Sequence, residues 1–320
     1  MKSRRQFLQA TAAVAAGVPP FLERTKARQN SSPAPVSAVQ VPKVAFGKAE
    51  ISRLVVGCNQ FYGYAHFNAI LSAVMKEWYT QDRVCDVLHQ CNRFGINAFN
   101  YLHAGRAPAD LERFRAEGGQ MHLIVQGTVD PEIIVPAVKP LAIYRHGGLT
   151  DTAYQNGSFS RVREYCKRVR QLGVLVGVGT HKPEVIETVE EQGWDVDFYA
   201  GSIYNRTRTP DEFRKVLGGQ MPLGAADVYL EGDPARMYRV MRQTKKPCFA
   251  FKILAAGRIE TQDALDRAFR MTFESIKVTD SIFVGMFPRF KDEVRENVER
   301  VSRILSQLGE GALHQGVTQG

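Results

Sequence analysis

Short runs of apolar, β-branched residues recur along the chain, separated by longer amphipathic stretches with helical spacing. That alternation is the pattern of repeated βα units. Eight runs read as strands: 54–57, 98–101, 122–126, 141–144, 174–178, 196–200, 248–253 and 281–285. Between them, 161–172, 183–192, 234–244 and 261–275 carry the clearest helical periodicity. Gly95 and Gly173 each follow a helical run and precede a strand, as a C-terminal capping glycine does. The strands are apolar almost throughout and do not alternate, so the sheet they form is buried on both faces. Eight such units close most simply into a (β/α)8 TIM barrel, in which chemistry sits just past the C-terminal ends of the strands.

Those strand ends carry a distinctive set of residues. Cys58, Asn59 and Gln60 follow the first strand, Asn100, Tyr101 and His103 lie around the second, and Gln126 ends the third. His146 follows the fourth, Thr180 and His181 the fifth, and Tyr204, Asn205, Arg206 and Arg208 the sixth. Lys252 lies in the seventh apolar run and Met286 follows the eighth. Asp195 and Asp197 flank the opposite, N-terminal end of the sixth strand, where a stabilising role is expected. The basic run Arg161, Arg163, Lys167, Arg168, Arg170 reads as a solvated helix face, and Met237, Met241 and Met271 have core spacing.

The first residues change the picture in another way. Arg4 and Arg5 precede Phe7-Leu8 and a short, weakly apolar run from Ala10 to Val18, ended by Pro19-Pro20. This is the pattern of a twin-arginine (Tat) signal peptide, and the run is too short for a membrane span, which needs about 20 apolar residues. Export to the periplasm by the Tat machinery is therefore expected, with no stable membrane anchor. A Pro/Ser/Ala-rich stretch, 30–42, reads as a linker and contains a cleavage-like Val36-Ser37-Ala38. The organisation expected is a signal and linker over 1–38, a lead-in over 39–45, one barrel over 46–308 and a flexible tail over 309–320.

The net charge of +9 falls to +4 once the six Lys/Arg and one Glu of residues 1–38 are set aside. With no basic run interleaved with aromatics in the body, nucleic-acid binding is not expected. The five cysteines, Cys58, Cys85, Cys91, Cys166 and Cys248, are scattered without a C-x-x-C pair, so neither a disulfide framework nor a zinc knuckle is indicated.

Several segments taken in order resemble the aldo/keto reductase family. Residues 41–57, VPKVAFGKAEISRLVVG, resemble its opening, in which a hairpin closes the barrel floor. Gly95-Ile96-Asn97-Ala98-Phe99-Asn100 is similar to its second-strand segment, Gly177-Val178-Gly179 followed by Pro183-Glu184-Val185-Ile186 to its fifth unit, and FAFKILAAG at 249–257 to its seventh. Glu296-Asn297 resembles its terminal pair, and the whole resemblance spans 41–308. What it implies is an NADP-dependent oxidoreductase with an Asp-Tyr-Lys-His tetrad. The positions that correspond to the tetrad hold Asn100, Gly105, Gln126 and His146, so only the histidine is kept. Implied cofactor contacts fall on Thr180 and His181, on Glu293 in place of an arginine with Arg289 as the nearest substitute, and on Asn297.

Read from the residues themselves, the strand ends suggest different chemistry. His103, His146 and His181, with His66 beside Tyr62 and Tyr64 on the long first loop, converge on one mouth in a closed barrel and suit proton transfer or a divalent metal held by His103, His146 and His181. A lysine in an apolar run, such as Lys252, is costly unless used, as a Schiff-base amine or as an electrostatic grip on an oxyanion. The polar loop of Gly147, Gly148, Asp151, Tyr154, Asn156 and Gly157 offers hydrogen bonds to a hydroxylated ligand. The leading expectation is proton transfer on a small carbonyl or sugar-type substrate, with His146, His181, Lys252, Asn100 and Gln126 catalytic. Substrate contacts are then expected from Tyr62, His66, Tyr101, His103, Tyr204, Asn205 and Arg206. An NADP-dependent oxidoreductase with a rearranged site and a non-catalytic binding barrel are the alternatives.

Overall fold

A computed structural model of the chain describes residues 39–219 and 227–317, with side chains through residue 309. The twin-arginine segment, the linker up to residue 38 and its cleavage-like site lie outside the described residues. Strands β1 (Lys43–Phe46) and β2 (Ala49–Ser52) form an antiparallel hairpin. Gly47 at its turn has a φ of 60°, a left-handed value that favours glycine.

Eight parallel strands follow: β3 (Leu54–Gly57), β4 (Ala98–Leu102), β5 (His122–Gly127), β6 (Ala142–Arg145), β7 (Leu175–Thr180), β8 (Phe198–Ser202), β9 (Cys248–Phe251) and β10 (Ser281–Gly285). Each pairs with its neighbour in sequence, and β10 pairs with β3, matching Ile282 to Leu54 and Gly285 to Gly57, so the sheet closes. The barrel is a TIM barrel, as the repeat pattern implies. Arg53 ties the closing seam by donating to the backbone oxygens of Asp280 (2.9 Å) and Lys277 (3.1 Å).

Helices cover the outside. The β3–β4 connection holds α1 (Ala69–Trp78) and α2 (Gln81–Arg93), and α3 (Ala107–Ala116) and α4 (Pro131–Val138) follow β4 and β5. After β6 come α5 (Gly147–Gln155) and α6 (Ser160–Gln171), and after β7 comes α7 (Pro183–Glu191). The β8–β9 connection holds α8 (Pro210–Val216) and α9 (Asp233–Gln243), and α10 (Gln262–Ser275) and α11 (Glu293–Val317) flank β10. Local chemistry explains the helix starts. Pro131, Pro183 and Pro210 each open a helix where no backbone donor is needed. Thr209 and Glu212 form a reciprocal capping box at α8, and Thr80 and Thr261 cap α2 and α10.

Alternating side chains on each strand split the core in two. Leu54, Val56, Phe99, Val125 and Val176 face the helices, while Val55, Ala98, Ile124, Phe198, Phe249 and Phe283 fill the barrel interior. The hairpin plugs the floor of that interior: the Phe46 ring meets Phe198 edge-on at 5.2 Å and Phe249 at 5.1 Å.

Most strand positions expected from the pattern are found, with shifts of one or two residues at β6, β7 and β8. Two departures matter more. The seventh apolar run does not stay strand to residue 253, because β9 ends at Phe251 and Lys252 turns to a φ of 63°. Residues 309–317, expected in a tail, are helical backbone continuing α11. Met237 and Met241 are buried as their spacing suggests, but Met271 is 43% exposed, because it lies on the outward face of α10. Asp197 accepts from the Val176 amide at 2.7 Å and is bridged with Asp195 by Arg170, tying the barrel's N-terminal rim. All five cysteines are buried free thiols.

Candidate active site

At the C-terminal mouth, a cavity of about 500 Å³ opens between the ends of β3, β4, β9 and β10 and the start of α11. Cys58, Gln60, His66, Asn100, Lys252 and Asn297 contribute to its wall. A glycine pair, Gly57 and Gly285, shapes one side. The Gln60 amide lies where a Cβ on Gly285 would be, so a larger residue there would displace it. Gln60 Oε1 is buried without a hydrogen-bond partner, which leaves an acceptor unsatisfied beside the cavity.

Lys252 is the first residue past β9. Its side chain makes no hydrogen bond or ion pair among the described residues, and burial pulls its pKa from 10.5 down to about 7. Arg206 and Arg258 push in the same direction and Asp227 opposes them. His66 also lines the cavity and, like Lys252, has left-handed backbone, with a φ of 55°. Its Nδ1 lies 3.2 Å from Asp227 Oδ2. Burial lowers the imidazole pKa to about 4 against the pull of Asp227, so His66 is neutral near pH 7. With Nδ1–H donated to the carboxylate, Nε2 is the free acceptor. Burial alone would raise Asp227, but hydrogen bonds from His66 and Arg206 outweigh it and hold the carboxyl far below its usual range.

Strain marks this rim. Of the five non-glycine residues with positive φ among the described residues, four (His66, Lys252, Ala255 and Ala256) lie around the cavity, and the fifth, Lys139, ends α4. Such conformations cost of order 1–3 kcal/mol each and persist only where surrounding structure imposes them. Arg258 supplies part of that structure. It donates to the backbone oxygens of His66 (3.2 Å), Asp227 (3.3 Å) and Ala255 (3.1 Å), and its guanidinium packs over the rings of Phe67 and Tyr229.

A second Asp–His pair stands on the other side of the mouth. Buried His181 places Nδ1 2.7 Å from buried Asp151 Oδ2. Asp151 also accepts from the His181 amide and from the hydroxyls of Thr180 and Thr207. Burial lowers the His181 pKa while Asp151 raises it. His146 precedes the first turn of α5 and is held down to about pH 4 by burial and then by His181. Gly147 lets α5 start over that ring, since a Cβ there would lie 3.1 Å from His181 Cε1. The charge of Arg206 reaches both halves, acting on His66, His146, His181, Lys252 and Asp227.

The remaining expected residues scatter in role. Asn100 accepts from the Tyr144 hydroxyl at 3.0 Å at the cavity floor, and Gln126 donates to Cys58 Sγ at 3.3 Å behind it. Tyr62 holds a buried hydroxyl without a partner, its pKa raised by burial. Tyr101 and His103 bond each other at 3.2 Å. Tyr204 packs edge-on against Tyr229, while Asn205 receives the Thr207 amide and donates its own to Asp233.

Other placements correct the expectations. His146 and His181 line no part of the large cavity. His103, His146 and His181 do not form a metal-ligand group, and among the described residues no three His, Cys, Asp or Glu side chains do. The implied cofactor positions hold other partners: Thr180 donates to Asp151, Glu293 accepts from the Phe287 amide and Asn297 from Arg300 while both line the cavity, and Arg289 stacks on exposed Phe290. Asp227, which organises the cavity side, carries no signal in its own segment. It meets His66 across 161 residues of chain.

No protein-family model and no curated protein matches the chain. Among solved structures it is similar to a truncated 3-deoxy-D-arabino-heptulosonate 7-phosphate synthase from Thermotoga maritima (TM-score 0.49, 10% identity, 87% of this chain and 94% of that one). A phospho-2-dehydro-3-deoxyheptonate aldolase of the same organism gives a TM-score of 0.48 at 10% identity, covering 87% and 74%. A probable 2-pyrone-4,6-dicarboxylic acid hydrolase from Acinetobacter baumannii, with citric acid bound, gives 0.42 at 9%, covering 72% and 84%. These likenesses are too remote to carry chemistry. The aldo/keto reductase resemblance is corrected: no model of that family and no curated member of it matches the chain, and the solved structures named above are described as other enzymes. The segments behind it, a glycine after a helix and an apolar strand before a polar loop, are the punctuation of any βα barrel.

Proposed function

We propose that this barrel is an enzyme that moves a proton next to the carbonyl of a small substrate, an isomerase- or lyase-type reaction without a hydride step. One observation carries the reading: the amine of Lys252, unpaired among the described residues, and the Asp227-oriented imidazole of His66 line a single cavity, both on strained backbone. The volume, about 500 Å³, suits a small metabolite. In this assignment His66 Nε2 accepts the proton on the carbon beside the carbonyl, and the Lys252 amine activates that carbonyl. In this reading the Asn100 amide nitrogen donates to a carbonyl or hydroxyl oxygen of the substrate, and Gln60 Oε1 accepts from a substrate hydroxyl.

His66 thus takes the part expected of His146 and His181. The test is deuterium exchange. Small aldehydes, ketones and ketoacids incubated with the protein in D₂O are read by proton NMR for loss of the signal beside the carbonyl. Lys252→Met and His66→Gln are each expected to slow exchange by roughly 10²-fold or more. Unchanged exchange in both variants would overturn the assignment.

Export to the periplasm remains part of the proposal, supported by Arg4-Arg5 and the short apolar run after them. Replacing both arginines by lysine should leave the full-length protein in the cytoplasmic fraction. Normal processing of that variant would remove the export claim.

A further inference from the structure

We infer that Lys252 is a covalent carrier: its amine condenses with the aldehyde or ketone carbonyl of a small substrate to form a Schiff base inside the mouth cavity. The inference rests on the proton-transfer reading above and specifies how the carbonyl is activated.

The surroundings of the amine favour a nucleophile over a fixed charge. A lysine used as a static cation is normally held by a carboxylate, whereas Lys252 has no hydrogen-bond or ion-pair partner among the described residues. The nearby acid, Asp227, is already taken by His66 and Arg206. Two guanidinium groups, Arg206 and Arg258, act on the Lys252 amine electrostatically and oppose a third positive charge. With a pKa near 7, a large share of the amine is unprotonated at neutral pH, where an ordinary lysine has almost none. The turn that follows fixes the residue, the Ala255 amide bonding to the Lys252 oxygen at 2.8 Å. The side chain is thereby held in the cavity wall although the residue has left the strand.

The chemistry balances without an added oxidant or reductant. Nζ attacks the carbonyl carbon, and the C=O π pair moves to oxygen, which takes a proton. Nitrogen loses a proton, the hydroxyl leaves as water after protonation, and the C=N⁺ bond forms. Removal of the neighbouring C–H proton by His66 Nε2 sends that electron pair into the iminium and gives a neutral enamine. The same positive surroundings that oppose an ammonium oppose the iminium, so they assist that step. Reprotonation and attack by water return the carbonyl and the free lysine.

The experiment is reductive trapping. The full-length protein is incubated separately with pyruvate, dihydroxyacetone and glyceraldehyde, treated with sodium borohydride, and analysed by intact mass and peptide mapping. With at least one of the three, the expected result is a single adduct on the peptide holding Lys252, absent without reductant and absent in Lys252→Met. His66→Gln should still trap, because it alters the proton step and not the condensation. The wild-type peptide map does not depend on any variant folding, and a thermal melt of Lys252→Met checks that its loss of labelling is local. No adduct with any of the three, or labelling spread over other lysines and equal in Lys252→Met, would overturn the inference. If deuterium exchange persists while trapping fails, the covalent step falls and the proton-transfer reading stands; if both fail, both fall.

Discussion

Lys252 sits where burial and two arginines oppose its charge, and that has a cost in stability. Its folded pKa of about 7 lies below the ordinary 10.5, so between those values the unfolded chain binds more protons and stability rises with pH. At pH 7 most of that penalty is present. Lys252→Met should therefore raise stability by roughly 1–2 kcal/mol at pH 7 while removing exchange activity, as urea denaturation beside the NMR assay would show. Equal or lower stability would mean the amine is better accommodated than its surroundings suggest. His66 and His146, both held near 4, act in the acid range. Each is neutral when folded and protonated when unfolded between about pH 6.5 and 4, so stability falls with acidification across that window, by at most about 1.4 kcal/mol per pH unit for each group. The double variant His66→Gln, His146→Gln should flatten that slope between pH 7 and 4.5. Lys252 was legible because a charge in an apolar run has to be used or hidden. Asp227 was not, because an aspartate in a loop looks the same whether it meets water or a histidine.

Among elements, the strand ends do most to build the site, and glycines decide how closely they approach. A Cβ on Gly177 of β7 would collide with the Phe198 ring inside the barrel. Gly177→Ala is expected to cost roughly 1–3 kcal/mol, measured by thermal or urea unfolding. Gly285→Ala on β10 should behave differently. Its new Cβ meets the flexible end of Gln60, so the amide moves and KM for the exchange substrate rises more than stability falls. A stability loss as large as that of Gly177→Ala would show that Gln60 has nowhere to go. The alternation of apolar runs located the strands to within two residues, since burial on both faces leaves a plain signature. It did not reveal that three connections hold two helices each. Nor did it end β9 at Phe251, because Lys252-Ile253-Leu254 reads as strand until the backbone turns into left-handed space.

Across the whole molecule, the floor packing and the mouth chemistry rest on different residues. Phe46 from the hairpin seals the floor against Phe198 and Phe249 and lines no part of the mouth cavity, although Phe283, stacked on Phe249 at 4.6 Å, reaches that cavity's wall. Phe46→Ala should lower unfolding stability by about 3–5 kcal/mol yet leave exchange activity per folded molecule near wild type. Loss of activity in the folded variant would show that floor packing sets the mouth geometry. Residue spacing and apolar pattern alone determined that eight βα units close into a barrel and that Asn100, His146, His181 and Lys252 lie at strand ends, because burial and period are local properties of a chain. Tertiary structure alone decided that Asp227 orients His66 and Asp151 orients His181, and that His66 and Lys252 line the 500 Å³ cavity while His146 and His181 do not. Those pairings join distant segments through space, and a side chain's charge depends on the solvent it loses and the partners it meets there, neither of which is written in its neighbours along the chain.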